Sequence, residues 1–146
     1  MYYSVIYQSK AQYNFTSKDI ELMLMRAKQK NKKNNITGCI VYANDKFIQL
    51  IQGPKDAILK LYDEIKADDR HFDVVTLHNQ QNSEKIWSEW SMAMLDFTGS
   101  AQQVMNSRIL LESYLENVND NKKNSEAYKI FRSEVQGLIN MSEKLA

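Results

Sequence analysis

Over residues 1–97 the apolar positions come as short runs of the kind strands make, interrupted by two stretches with helical spacing. Residues 2–7 are β-prone and bounded by polar Gln8-Ser9-Lys10, which predicts a first strand. Thr16 or Ser17 is suited to cap a helix, with Asp19 or Glu21 early in its first turn, where the helix dipole favours negative charge. Ile20, Leu24, Ala27 and Asn31 share one face of that helix, with Met23 beside them. Residues 36–43 and 47–51 are two apolar runs joined by Asn44-Asp45, a pair suited to a tight hairpin turn. Gly53-Pro54 ends the second run, with Pro54 in the first turn of a new helix that buries Ile58, Leu61, Tyr62 and Ile65. A short strand is predicted at 74–77 and a last one at 90–97, separated by a polar loop over 79–89.

The pattern β-α-β-β-α-β-β predicts an α+β, ferredoxin-like sandwich of one sheet with two helices on one face, using residues 1–97. Residues 98–146 carry no strand signal. Val104, Leu110, Leu111, Tyr114, Leu115 and Val118 form one helical stripe, residues 119–125 break it, and Ala127, Tyr128, Phe131, Val135, Leu138 and Ile139 form a second. Two such helices cannot bury both stripes by themselves. They are expected to pack on the far face of the sheet, on each other or on another copy.

Composition narrows the function classes. A chain of 146 residues holds one core, and 43% hydrophobic with 25% charged residues is ordinary globular composition. A formal net charge of +1 gives no general pull towards nucleic acid or anionic membrane. No apolar stretch approaches the ~20 residues needed to span a bilayer. The single cysteine, Cys39, excludes an internal disulfide and fits a reducing, cytoplasmic setting.

Three polar side chains stand where apolar ones are expected. Tyr7 shares a strand face with Tyr3 and Val5, Gln49 shares one with Phe47 and Ile51, and Asn31 lies on the inward stripe of the first helix. Burying an amide or a phenol costs a few kcal/mol unless it is hydrogen-bonded. One account is local, with Asn31 capping the helix end and Gln49 bonding a backbone group. The other is a bound polar ligand that completes all three.

The pieces around these residues resemble the BLUF domain, a sensor of blue light using flavin. They are Tyr7 near the end of the first strand, Asn31 before Ile36-Thr37-Gly38, Gln49 within Phe47-Ile48-Gln49-Leu50-Ile51-Gln52-Gly53, Asp68-Asp69-Arg70-His71 after the second helix, and Trp90-Ser91-Met92 in the last strand. They occur in register over residues 1–97. Two positions depart from the family pattern: Gln52, where a glutamate is usual, and Ile48, where an aromatic is frequent. Neither is a flavin-bonding position, so the departures bear on tuning rather than on flavin binding.

The resemblance implies a blue-light photoreceptor, not an enzyme, that holds FAD non-covalently; FMN shares the ring and suits the same pocket. It implies Leu24 and Ile65 against the ring faces and Asn31 at the ring's polar edge. Gln49 is implied between flavin and Tyr7, with Lys30, Asp68 and Arg70 towards ring edge, ribityl chain or phosphate. Tyr7 is implied as electron and proton donor, Gln49 as the amide that rotates or tautomerises, and Trp90 and Met92 as the pair that passes the change into the last strand. Residues 98–146 are then an output and oligomerisation segment, signalling to a downstream protein. A stand-alone homo-oligomer without an attached cyclase or phosphodiesterase is expected. The alternative class is a ligand-binding or protein-interaction module of the same fold without photochemistry.

Other constellations carry less. Cys39, His71 and His78 have no metal-ligand spacing; Cys39 reads as a core thiol and His78 as a strand-end surface residue. Four glycines include no phosphate-binding loop. The basic run over 28–35 lacks the aromatic strand motif of RNA-binding modules of this layered shape and reads as a solvated helix end.

Overall fold

The structure is a computed structural model that describes residues 2–87, 92–96 and 99–145. Its elements run β1 (Tyr2–Ala11), α1 (Ser17–Lys33), β2 (Thr37–Ala43), β3 (Lys46–Gly53), α2 (Lys55–Ala67), β4 (His71–Ser83), β5 (Met92–Asp96), α3 (Ala101–Glu116), α4 (Asp120–Lys123) and α5 (Glu126–Leu145). The five strands form one sheet in the order β4-β1-β3-β2-β5, antiparallel except for the parallel pairing of β2 with β5. This is the ferredoxin-like arrangement with one strand added beside β2.

The local signals explain the element starts. Thr16 accepts from the Asp19 backbone N–H at 3.1 Å and Asp19 accepts from the Thr16 N–H at 3.0 Å, a capping box that opens α1. Asn44 and Asp45 both adopt positive φ, 53° and 59°, as a two-residue turn of this hand requires. Pro54 stands one residue outside α2, as its N-cap. Gly38 is needed for close approach, because a Cβ there would lie 2.0 Å from the Leu50 carbonyl oxygen.

The sheet separates two apolar layers. On one face α1 and α2 cover Val5, Tyr7, Ile36, Ile51, Tyr42 and Phe47. On the other, Ile6, Cys39, Val41, Ile48 and Leu50 pack against α3 and α5 through Leu111, Leu115, Tyr128, Phe131 and Val135. The C-terminal helices therefore take the far face, one of the three sites their stripes allowed.

Three expectations change. The fourth strand runs over 13 residues rather than 74–77, taking in part of the segment read as a polar loop. It is an edge strand whose ladder to β1 is made by the main chain, so polar Asn79 and Gln80 pair as well as apolar residues would. His78 accordingly sits half-buried inside that strand, opposite Ile6, and not at its end. Leu110 is 60% exposed and leaves the α3 stripe, since 100° per residue turns it away from its buried neighbour Leu111. Of the predicted last strand, Met92 opens β5 opposite Gly38, while Trp90 lies outside the described residues.

Candidate functional site

Between α1, α2 and the sheet lies a cavity of about 450 Å³. Tyr7, Leu24, Lys30, Asn31, Gln49, Ile65, Asp68 and Arg70, the eight residues implied as flavin contacts, all line it. Tyr7 comes from β1 and Gln49 from β3, directly opposite each other in the antiparallel ladder. That register places their side chains on the same face, and the Tyr7 hydroxyl donates to Gln49 Oε1. Gln49 is thus bonded to a side chain across the strand pair.

Asn31 also departs from the local account. It lies inside α1, whose C-cap is Asn34, and its main-chain carbonyl accepts from Asn34 N at 3.1 Å and Ile36 N at 2.9 Å. Its side chain is 4% exposed, lines the cavity, and among the described residues makes no hydrogen bond. The amide is reached from the cavity, so a ligand there can complete its hydrogen bonds. It offers a donor and an acceptor side by side.

The walls are apolar. Leu24 and Ala27 of α1 face the cavity from one side and Leu61 and Ile65 of α2 from the other, on the inward stripes that the three-and-four spacing creates. Phe47 and Ile40 close the floor from the sheet. A flat apolar ring with a polar edge is the ligand this combination suits.

The rim is charged. Lys30 of α1 forms an ion pair with Glu64 of α2, tying the two helices together, and Lys30 holds the Glu64 carboxyl below its usual range. Arg70 grips Asp68 through Nε at 3.0 Å to both carboxylate oxygens and a terminal nitrogen at 2.5 Å. That fork lowers the Asp68 pKa. Arg26, Lys30 and Arg70 against Glu64 and Asp68 make three cations and two carboxylates, a local formal charge of +1.

Tyr7 is held neutral. Burial raises its phenol pKa far above the ordinary value, and the neighbouring Tyr62 and Asp68 add to the shift against a smaller opposing effect of Arg70. Its ring lies 5.7 Å from that of Tyr62, whose hydroxyl is 2.5 Å from Thr76 Oγ1.

His71 entered the sequence reading within the Asp68-Asp69-Arg70-His71 piece and as a discounted metal ligand, but not as a cavity residue. It lines the cavity with Nδ1 2.7 Å from Ser9 Oγ and Nε2 2.5 Å from the Ile65 carbonyl. A carbonyl only accepts, so Nε2 carries a proton, and the ring pins the start of β4 to the end of α2. The available signal was its position directly after Asp68-Asp69-Arg70. Cys39, in contrast, is fully buried in the far-face core with its thiol pKa raised by burial, consistent with packing. Among the described residues no cluster of three or more His, Cys, Asp or Glu could hold a metal ion.

Comparison with known proteins agrees with the architecture. The family model "BLUF: Sensors of blue-light using FAD" matches residues 2–93. Photoactivated adenylate cyclase subunit beta of Euglena gracilis is 34% identical over 90 residues, 61% of this chain and 10% of the relative. The Euglena longa subunit is 36% identical over the same length and shares. The chain thus spans about a tenth of the curated relatives it matches. Among solved structures, "BlrP1 BLUF" superposes with a TM-score of 0.70 at 23% identity, covering 94% of this chain and 90% of that one. A structure of Klebsiella pneumoniae BlrP1 with FMN and cyclic diGMP superposes with a TM-score of 0.74 at 24% identity, covering 93% of this chain and 35% of that one. "BlrB - a BLUF protein, dark state structure" gives 0.64 at 21% identity over 90% and 96%.

Proposed function

Since this chain belongs to the BLUF family of blue-light sensors using FAD, we propose that its cavity holds the flavin ring and that Tyr7 and Gln49 are the switch. The observation that carries the proposal is the Tyr7–Gln49 hydrogen bond in the wall of a cavity that the Asn31 side chain also lines. The residues suit the group: Leu24 and Ile65 flank the ring, Asn31 supplies donor and acceptor to its polar edge, and the net positive rim suits an anionic tail. FMN, present in one structural neighbour, satisfies the same ring contacts.

When bound and excited by blue light, a flavin is a strong oxidant. Tyr7 would supply the electron to the flavin, and its hydroxyl proton, held against Gln49 Oε1, would pass to that oxygen as the amide nitrogen gives up a proton on its cavity side. Their return restores Tyr7, with no net oxidation. Gln49 need not return to its starting arrangement, because one end of its amide accepts and the other donates. Rotation or tautomerisation exchanges those ends between Tyr7 and the cavity. The two arrangements differ by a few hydrogen bonds of about 1 kcal/mol each, so the lit arrangement relaxes thermally.

From the cavity the change passes through the last strand, with Trp90 and Met92 as relay, to residues 98–146. The protein then signals by contact with a downstream partner, in the cytoplasm, and forms no product of its own. Met105, Ile109 and Leu110, each more than half exposed on α3, support a contact with protein, including a second copy of the chain. No described helix is long and apolar enough to cross a membrane.

The test is the visible spectrum of the purified holoprotein in the dark, under blue light and during recovery. A flavin spectrum that moves slightly to the red and returns is expected, with the movement abolished in Tyr7→Phe and Gln49→Ala. A flavin spectrum indifferent to light sinks the switch, and failure to bind flavin at all favours the interaction module without photochemistry.

A further inference from the structure

Gln49 and Gln52 lie on the same strand and face opposite layers. Gln49 looks into the cavity. Gln52 is fully buried on the far side, paired in register with Ser4 of β1 and Thr37 of β2. The separation of three residues is about 10 Å along a strand. Gln52 uses both ends of its amide on the segment that follows β4: Nε2 donates to the Glu84 carbonyl and Oε1 accepts from the Ile86 N–H, each at 2.9 Å. A side chain that must serve a carbonyl and an N–H at once needs a donor and an acceptor, which an amide supplies.

The segment so held carries Trp87 into the far-face core. The Trp87 ring stacks on Tyr114 of α3, with centroids 4.8 Å apart and planes at 21°, and meets Phe131 of α5 edge-on at 6.2 Å. Its Nε1 donates to the Tyr114 carbonyl at 3.3 Å. The Tyr114 hydroxyl in turn donates to the Gly38 carbonyl on β2 at 2.9 Å. Gly38 pairs with Ile51 of β3 on one side and Met92 of β5 on the other. Tyr114 is therefore held at two points, one that follows β3 through Gln52 and Trp87, and one on β2.

We propose that Gln52 is a positioning residue for output: it fixes Trp87 against Tyr114, so that a shift of β3 relative to β2 tilts α3. This path runs over the far face and rests on the switch proposed above. Two amide bonds at Gln52 make the connector move with β3. The stack and the Gly38 bond then turn a small difference between adjacent strands into a rotation of one aromatic side chain and its helix.

Amide hydrogen exchange of the full-length holoprotein, in the dark and under blue light, tests it in samples whose flavin spectra are recorded together. Peptides within 101–116 should differ between light and dark. In Gln52→Met, which keeps the volume and loses both bonds, and in Tyr114→Phe, which keeps the ring and loses the Gly38 bond, the red shift should persist. The light-dark difference in α3 should fall about threefold to tenfold, the equilibrium worth of one or two hydrogen bonds. A full difference in both variants overturns the inference, as does a wild-type α3 indifferent to light while the flavin shifts. If Gln52→Met does not fold, Tyr114→Phe decides alone. Absence of the red shift in wild type overturns the switch itself, and this inference with it.

Discussion

The Asn31 carboxamide is buried and has no hydrogen-bond partner among the described residues, so it stands to gain from a ligand and loses little by removal. Asn31→Ala should weaken flavin binding about tenfold, the worth of one or two hydrogen bonds. It should leave the melting temperature of the flavin-free protein unchanged or higher; titration of apoprotein with FAD and a thermal melt read the two effects separately. Two titrating groups respond in opposite directions. Burial keeps Tyr7 protonated in the folded state, so the amplitude of its light response should stay flat from about pH 6 to 9. Stability from that group is complete below the unfolded tyrosine value of about 10 and falls as pH rises past it. The folded pKa of Asp68 is depressed, so the Arg70 pair contributes above the unfolded value of about 4 and is lost as pH falls through the lower folded value. Urea melts across pH should show wild type losing more stability in acid than Asp68→Asn.

At the scale of elements, α1 positions Leu24, Lys30 and Asn31 together, so its start governs the geometry of the cavity. Thr16→Ala removes one half of the capping box and should cost about 1 kcal/mol in a urea melt. The boundaries legible in the sequence were those with local chemistry: the Thr16 cap, the Asn44-Asp45 turn and the Gly53-Pro54 break. β4 was legible only in its apolar middle. Its outer edge pairs with no further strand among the described residues, and its polar residues are held through the main chain, which leaves no mark in side-chain alternation. α4 is a single turn in a segment read only as a break between stripes, and such short turns carry little periodicity.

For the whole molecule, the helices beyond the family match share a core with the sheet. Phe131 is fully buried where α5 meets that layer, in contact with the Trp87 ring edge. Phe131→Ala should cost about 3–5 kcal/mol. The expected loss is visible in one cooperative transition that includes the flavin-binding half. Separate transitions for the sheet and for the helices would show instead that the two layers fold independently.

The sequence by itself determined the order of elements, the apolar faces of the helices and the strand parity that groups Tyr7 with Tyr3 and Val5 and Gln49 with Phe47 and Ile51. These are consequences of 3.6-residue and two-residue periods and need no knowledge of what packs where. The family resemblance also marked eight residues that the fold gathers around one cavity. Only the tertiary structure decided that Tyr7 and Gln49 are register partners, that the Asn31 side chain lines the cavity, and that His71 joins α2 to β4. Only it revealed that Gln52 reaches a segment more than 30 residues away to seat Trp87 on α3. Such contacts depend on strand register and on the path of a connector across a face, which are set by the sum of all the packing and are written in no local stretch of the chain.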